Sequence, residues 1–270
     1  MSKSFAKVLL ILEMNNSKIF FRAHGEGNPV VFLHGILGSH SQWIPFVNDL
    51  PGCQLLLPDL PNHGNSAHIP TMNYNEISYI IYEWILSLGI NNITIAGHSY
   101  GGRVAIKLVN DYPDLFKKLI LIDSSNVKSE IPHSVKRWLN IIREGELTSF
   151  ASYSEIRNHL KKFEIPESER ELLLKNIKRE GTFFSWKSNA QVIANEISSV
   201  VNSVPLKNVI NHPTFLMRGK NSGHVPDAHL SEMRKMFPNL EDIVIENAGH
   251  WVHVDNRNKF VELLKSAIKK

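Results

Sequence analysis

Cysteine and long apolar runs are scarce in this sequence of 270 residues. Its single cysteine, Cys53, excludes a disulfide within the chain and leaves no pair of thiolates at a metal-binding spacing. No apolar run reaches the roughly 18 residues that a membrane-spanning helix needs. The apolar run near the amino end is interrupted at Glu13, too early for a secretory signal. We therefore expect a cytoplasmic protein without a transmembrane segment.

A dense block of one charge sign is also missing. The 30 lysines and arginines stand against 26 aspartates and glutamates, scattered along the chain to give a formal net charge of +4. This pattern is typical of a mildly basic solvated surface and not of a nucleic-acid footprint. The expected partner is a small molecule, with no nucleic acid, and the protein is expected to be a monomer or a homodimer.

Apolar and β-branched runs alternate with helical patterns over most of the chain. Strands are predicted at residues 6–13, 17–23, 29–34, 54–57, 92–97, 118–122, 214–218 and 241–246. Helices are predicted at residues 75–88, 100–111, 226–236 and 255–268. Strands that alternate with helices indicate right-handed crossovers, and so an α/β fold with a mostly parallel eight-stranded sheet flanked by helices.

The stretch 126–208 interrupts this alternation. It is polar, shows helix-like segments at residues 131–144, 149–162, 167–179 and 188–200, and contains no convincing strand. Connections inside compact domains are short, so a stretch of this length is unlike a simple connector. We expect a helical cap at 126–208, inserted after strand six, with residues 1–125 and 209–270 forming the core.

The pentapeptide Gly-His-Ser-Tyr-Gly at residues 97–101 carries the strongest chemical signal. It lies between a predicted strand and a predicted helix, the setting in which a serine sits on a sharp turn with its hydroxyl exposed. Small residues two before and two after Ser99 leave room for the strand and the helix to approach each other. Ser99 is therefore the candidate nucleophile.

A serine hydroxyl needs a base to take its proton, and His250 is the candidate among 13 histidines. It follows the last predicted strand, and loops at the carboxyl ends of parallel strands meet at one edge of a sheet. His253 and His98 also lie near this edge and are expected to act in packing.

The base in turn needs a carboxylate that orients it. Asp123 directly follows the predicted strand 118–122, which makes it the favoured acid. The loop after the next strand has no carboxylate before Asp227, which begins the following predicted helix. Asp227 stays open as the alternative acid.

Two backbone N–H groups are needed for the oxyanion of the reaction. One is predicted at Tyr100, the residue after the nucleophile, and the other at Ile36, in the glycine-containing loop after strand 29–34. His34 is expected to brace this loop. The turn-forming residues around Asp59 and His63 favour a structural loop over a second acid–base pair.

In this order the motifs resemble those of the α/β-hydrolase superfamily, and most closely those of small bacterial esterases of the YbfF type and their abhydrolase-domain-11 relatives. The residues that carry the resemblance are His34-Gly35, Pro58-Asp59-Leu60, His63-Gly64-Asn65-Ser66, the run 97–102, Arg218-Gly219-Lys220-Asn221-Ser222 and the run 248–253. In that group the acid follows strand six, which agrees with Asp123. His224 departs from the pattern, because the group often has an aromatic residue there.

The resemblance implies an α/β-hydrolase fold and hydrolysis of carboxylic esters or acyl thioesters under a helical cap, with no metal and no organic cofactor. The expected substrate-binding residues are His34, Gly35, Phe183, Trp186 and Trp251. Carbon–carbon bond hydrolases, cofactor-free haloperoxidases and receptor-like proteins with slow turnover keep the same three residues. They remain the alternatives.

Overall fold

A central sheet organises the chain in the computed structural model, which describes residues 19–144 and 147–270. Its strands are β1 (Phe21–His24), β2 (Asn28–Leu33), β3 (Cys53–Pro58), β4 (Ile93–His98), β5 (Phe116–Ile122), β8 (Thr214–Gly219) and β9 (Leu240–Ile245). The spatial order is β1-β3-β2-β4-β5-β8-β9. Only β1 runs antiparallel to its neighbour, β3, and every other pair in this sheet is parallel.

Helices cover both faces of the sheet because its central strands are apolar on both sides. In β2, Val31 and Leu33 join one buried cluster, whereas Val30 and Phe32 join the other. The core helices are α1 (Tyr74–Ser87), α2 (Tyr100–Asp111), α8 (Asp227–Met236), α9 (Val252–Asp255) and α10 (Arg257–Lys269). Helices α1 and α2 pack in the first cluster and α10 in the second. Parallel sheets are usually covered by helices on both faces in this way.

The chain between β5 and β8 forms a separate set of elements. They are α3 (His133–Glu144), α4 (Tyr153–Leu160), α5 (Glu167–Lys175), β6 (Ile177–Glu180), β7 (Phe183–Trp186), α6 (Ala190–Asn195) and α7 (Ile197–Val201). Its two ends are hydrogen-bonded to each other, from Ser129 N to Val201 O at 2.9 Å and from Val204 N to Asn126 O at 2.9 Å. We call residues 126–208 the inserted segment. Its buried apolar side chains continue the cluster that holds α1 and α2.

The mostly parallel sheet flanked by helices is confirmed, with seven strands among the described residues. The predicted strand 6–13 lies outside the described residues. The expectation that the inserted segment contains no strand is wrong, since β6 and β7 pair as an antiparallel hairpin. The predicted helix 167–179 ends at Lys175, and the chain turns at Gly181, whose φ of 63° is in the left-handed region. Four-residue strands are too short for sequence periodicity to separate them from a helix end.

None of the helices in the described part of the chain is both long and apolar enough to cross a membrane.

Candidate active site

Ser99 occupies a strained turn between β4 and α2. Its φ of 52° and ψ of −119° place a non-glycine residue where L side chains are disfavoured. Close packing holds it there: a Cβ added to Gly101 would lie 2.6 Å from Leu33 O, and one added to Gly102 would lie 2.5 Å from the Ser124 Cβ. The start of α2 therefore packs against the end of β2 and against Ser124, after β5, only because these positions lack side chains.

His250 and Asp123 meet at the carboxyl ends of the sheet strands. The Nδ1 of His250 lies 2.6 Å from the Oδ2 of Asp123. Since a carboxylate only accepts, Nδ1 carries the proton and the Nε2 of the neutral ring is left as an acceptor. Asp123 is itself in the left-handed region, with φ of 47°, directly after β5.

Asp123 is held by further donors from the loop after β8. The Ser222 hydroxyl donates to Oδ2 at 2.5 Å, and the Gly219 N–H donates to Oδ1 at 3.3 Å. Burial nevertheless raises the pKa of Asp123 to about 6, against the opposing effect of these donors. At neutral pH the carboxylate is therefore still ionised.

Two further imidazoles surround His250. The ring of His224 stacks on it with centroids 3.5 Å apart and planes 11° apart. His98 donates through Nε2 to the His250 carbonyl oxygen at 3.0 Å, which fixes the backbone of the loop. Burial lowers the pKa of both His250 and His224 to about 3, so both rings are neutral at neutral pH.

The ligand atoms of Asp123, His224 and His250 lie within 4.8 Å of one another, a spacing that raises the question of a metal ion. Nearly parallel imidazoles direct their in-plane lone pairs side by side, whereas a tetrahedral ion needs lone pairs that converge. The donor set therefore suits the hydrogen-bonded pair of His250 and Asp123 better than a metal centre.

Two residues of the cavity lining have backbone N–H groups without an acceptor among the described residues. Among the described residues, no oxygen accepts a hydrogen bond from the N–H of Ile36 or of Tyr100. Both residues line the same cavity as Ser99. Tyr100 is the first residue of α2, so its N–H group lies at the positive end of the helix dipole.

The cavity joins the catalytic candidates to the inserted segment. Its lining includes Gly35, Ile36, Ser99, Tyr100, Arg103, Asp123, His224, His250 and Trp251 from the core, and Ser129, Val135, Trp138, Glu169, Ile197, Val200 and Val201 from the inserted segment. One wall is thus largely apolar.

Several predicted residues lie elsewhere. His34 is fully buried and braces the loop, accepting from Leu60 N at 2.9 Å through Nε2. Phe183 is 42% exposed on the hairpin, and Trp186 packs against the apolar cluster. None of the three lines the cavity, so the expectation that Phe183 or Trp186 forms its wall is not met.

The alternative acid also lies away from the base. Asp227 is solvent-exposed at the start of α8 and pairs with Arg218 at 2.8 Å. His253 is buried behind the site against Trp43, with ring centroids 5.2 Å apart. Asp59 accepts from His40 N at 2.6 Å and Asn65 N at 2.9 Å, as in a braced loop.

Sequence reasoning missed two polar residues of the site. Ser222 lies in a run that carried the resemblance, but nothing in that run says which residue faces Asp123. Arg103 stands four residues after Ser99 on α2, and this spacing is the signal that places it on the same face of the helix.

Residues 28–257 match the family described as alpha/beta hydrolase fold. The chain is 28% identical over 244 residues to the sn-1-specific diacylglycerol lipase ABHD11 of Mus musculus, covering 88% of this chain and 80% of that protein. It is 26% identical over 242 residues to the esterase YbfF of Escherichia coli (strain K12), covering 88% and 92%. A solved marine microorganism esterase superposes with a TM-score of 0.89 and 29% identity, covering 92% of this chain and 98% of the other.

The matched region runs from β2 to the start of α10 and includes every residue of the site described above. The chain therefore belongs to the α/β-hydrolase family.

Proposed function

We propose that this hydrolase cleaves carboxylic esters or acyl thioesters of small to medium acyl chains, with Ser99, His250 and Asp123 as a catalytic triad. The observation that carries the proposal is the 2.6 Å hydrogen bond from His250 Nδ1 to Asp123 Oδ2, beside a strained serine that lines the same cavity. That bond leaves Nε2 of His250 free to take a proton.

In the proposed reaction the Ser99 oxygen attacks the acyl carbonyl carbon as its proton passes to His250 Nε2. The ionised Asp123 stabilises the imidazolium, and the N–H groups of Ile36 and Tyr100 donate to the oxyanion. The tetrahedral intermediate collapses, the ester C–O or thioester C–S bond breaks, and His250 returns its proton to the leaving alcohol or thiol. Water then attacks the acyl-enzyme by the same route and releases the acid.

Among the described residues, no side chain, His250 included, is hydrogen-bonded to the Ser99 hydroxyl. Catalytic hydrogen bonds are often long before substrate binds and shorten in the complex. We therefore assign the Ser99–His250 contact to the substrate-bound enzyme.

The inserted segment is proposed to act as a cap over the acyl group. Val135, Ile197 and Val200 present aliphatic side chains to the cavity, and Trp138 adds an indole. Burial of a hydrocarbon chain against such a wall is favourable by about 0.8 kcal/mol for each methylene. Relatives named as esterases and as a lipase support this substrate class.

Hydrolysis of 4-nitrophenyl acetate and butyrate by Ser99→Ala tests the proposal. Loss of the nucleophile removes the acyl-enzyme route, so we expect kcat/KM to fall by at least about a thousandfold. Ser154→Ala, an exposed serine on α4, is the matched control and should keep the wild-type rate. Full activity in Ser99→Ala would rule out the proposed mechanism.

A further inference from the structure

Arg103 is a buried cation in the wall of the catalytic cavity. It lies on α2 one helical turn after Ser99, is only 7% exposed, and lines the cavity together with Ser99. Nothing in the proposed reaction uses it. A buried charge without a counter-ion is unfavourable, so its surroundings decide what it does.

Every oxygen that the guanidinium contacts belongs to a neutral group. Nη1 donates to Asn202 O at 2.6 Å, and Nη2 donates to Val127 O at 2.7 Å and to the Ser129 hydroxyl at 3.2 Å. No carboxylate of the described residues lies within the 4.0 Å of an ion pair with Arg103. These bonds connect α2 to both ends of the inserted segment, but they leave the charge unneutralised.

The two carboxylates of the cavity are committed to other partners. Glu169 accepts from the Trp138 indole at 2.8 Å and lies 4.0 Å from Arg137. Asp123 accepts from His250. Neither carboxylate of the cavity therefore pairs with Arg103.

We propose that Arg103 recognises a carboxylate carried by the substrate, which makes it a specificity-determining residue for anionic esters. The inference rests on the proposed function, because it takes Ser99 as the point of attack. A planar guanidinium binds a carboxylate through charge-assisted hydrogen bonds, and these are stronger in a cavity that excludes water than at a surface.

Ser99 and Arg103 are four residues apart, a rise of about 6 Å along the axis of α2. Both line one cavity, so a short substrate that places its ester at Ser99 can bring a carboxylate to Arg103. Half-esters of short dicarboxylic acids have this shape.

The test compares each anionic ester with a neutral ketone of the same shape. In the first pair, monomethyl succinate is compared with methyl 4-oxopentanoate, and the negative charge lies on the acyl side of the ester. In the second pair, 4-acetoxybutanoate is compared with 5-acetoxypentan-2-one, and the negative charge lies on the alcohol side of the ester. We expect wild-type kcat/KM to favour the anion of one pair by at least about tenfold, and that pair identifies the side.

Variants of Arg103 then separate recognition of the substrate carboxylate from a role in holding the inserted segment. Arg103→Gln should bring the anion-to-ketone ratio down to about one, chiefly through KM of the anion, and Arg103→Lys should retain part of the preference. Lys136→Gln removes one exposed charge from α3 and should keep the wild-type ratio.

Two results would overturn the inference. The first is a wild-type enzyme that hydrolyses neutral esters through Ser99 without preferring either anion, which leaves the proposed function intact. The second is an Arg103→Gln enzyme that slows both members of a pair equally, as loss of a purely structural tie would. Absence of any Ser99-dependent hydrolysis would instead remove the proposed function, and this inference with it. If Arg103→Gln does not fold, the wild-type ratio decides alone.

Discussion

At the scale of single residues, Asp123 combines a strained backbone with a buried carboxylate. Its φ of 47° turns the chain sharply at the end of β5, and its oxygens are held by Ser222, Gly219 and His250. A turn of this kind directs the carboxylate across the sheet edge towards the loop after β9. This position brings the Asp123 carboxylate to His250, whereas Asp227 pairs with Arg218.

Replacement of the two candidate acids separates their roles. Asp123→Asn should reduce kcat by about a thousandfold or more, because an amide does not stabilise the imidazolium and favours the wrong tautomer of His250. Asp227→Asn removes only an exposed pair with Arg218 and should leave the rate nearly intact. Steady-state kinetics on 4-nitrophenyl butyrate measures both, and the reverse outcome would assign the acid to the loop after β8.

The pH dependence of the reaction follows from Asp123 and His250. Burial raises the pKa of Asp123 to about 6 and lowers the pKa of His250, so the working form is an ionised carboxylate beside a neutral imidazole. This form binds a proton as the pH falls, and we expect kcat/KM for a neutral ester to decline below about pH 6. A pH–rate profile checks this, and a rate that stays flat well below that pH would contradict it.

At the scale of elements, the unit β4–turn–α2 brings Ser99 against the loop after β2. Gly101 lies so close to Leu33 and His34 that a methyl group has no space between them. The same closeness brings Ile36 and Tyr100 into the lining of one cavity.

Gly101→Ala tests this packing. Forcing a methyl group against two backbone carbonyls should lower the free energy of unfolding by about 1 to 3 kcal/mol. Gly223→Ala is the matched control, since a Cβ there meets no atom within 4 Å, and it should change stability by less than about 0.5 kcal/mol. Urea denaturation measures both. Equal stability of the two variants would contradict the close approach.

The elements that sequence predicts well are those with long, repeated signals. Alternating strands and helices gave the parallel sheet, and a Gly-x-Ser-x-Gly motif between β4 and α2 located the turn at Ser99. The hairpin β6–β7 could not be predicted, because only Ile177 and Phe184 are buried in it and four residues show no clear period. Phe183 was expected at the cavity, but in the hairpin its side chain is exposed to solvent.

At the scale of the whole molecule, the core and the inserted segment contribute different things to one cavity. The core brings Ser99, Asp123 and His250 from three separate loops, each marked in the sequence by its place after a strand. The apolar wall comes from side chains of the inserted segment: Val135, Trp138, Ile197, Val200 and Val201. Which side chains of these helices face the cavity depends on tertiary packing, so sequence alone did not identify them.

The central claim is that Ser99 is the nucleophile, and covalent labelling with a fluorophosphonate tests it most directly. An activated serine attacks the phosphorus and displaces fluoride, leaving a stable phosphonyl ester. Peptide mass spectrometry of the labelled wild-type protein should find the adduct on Ser99 alone, and Ser99→Ala should not be labelled. An adduct on another residue, or equal labelling of Ser99→Ala, would contradict the account.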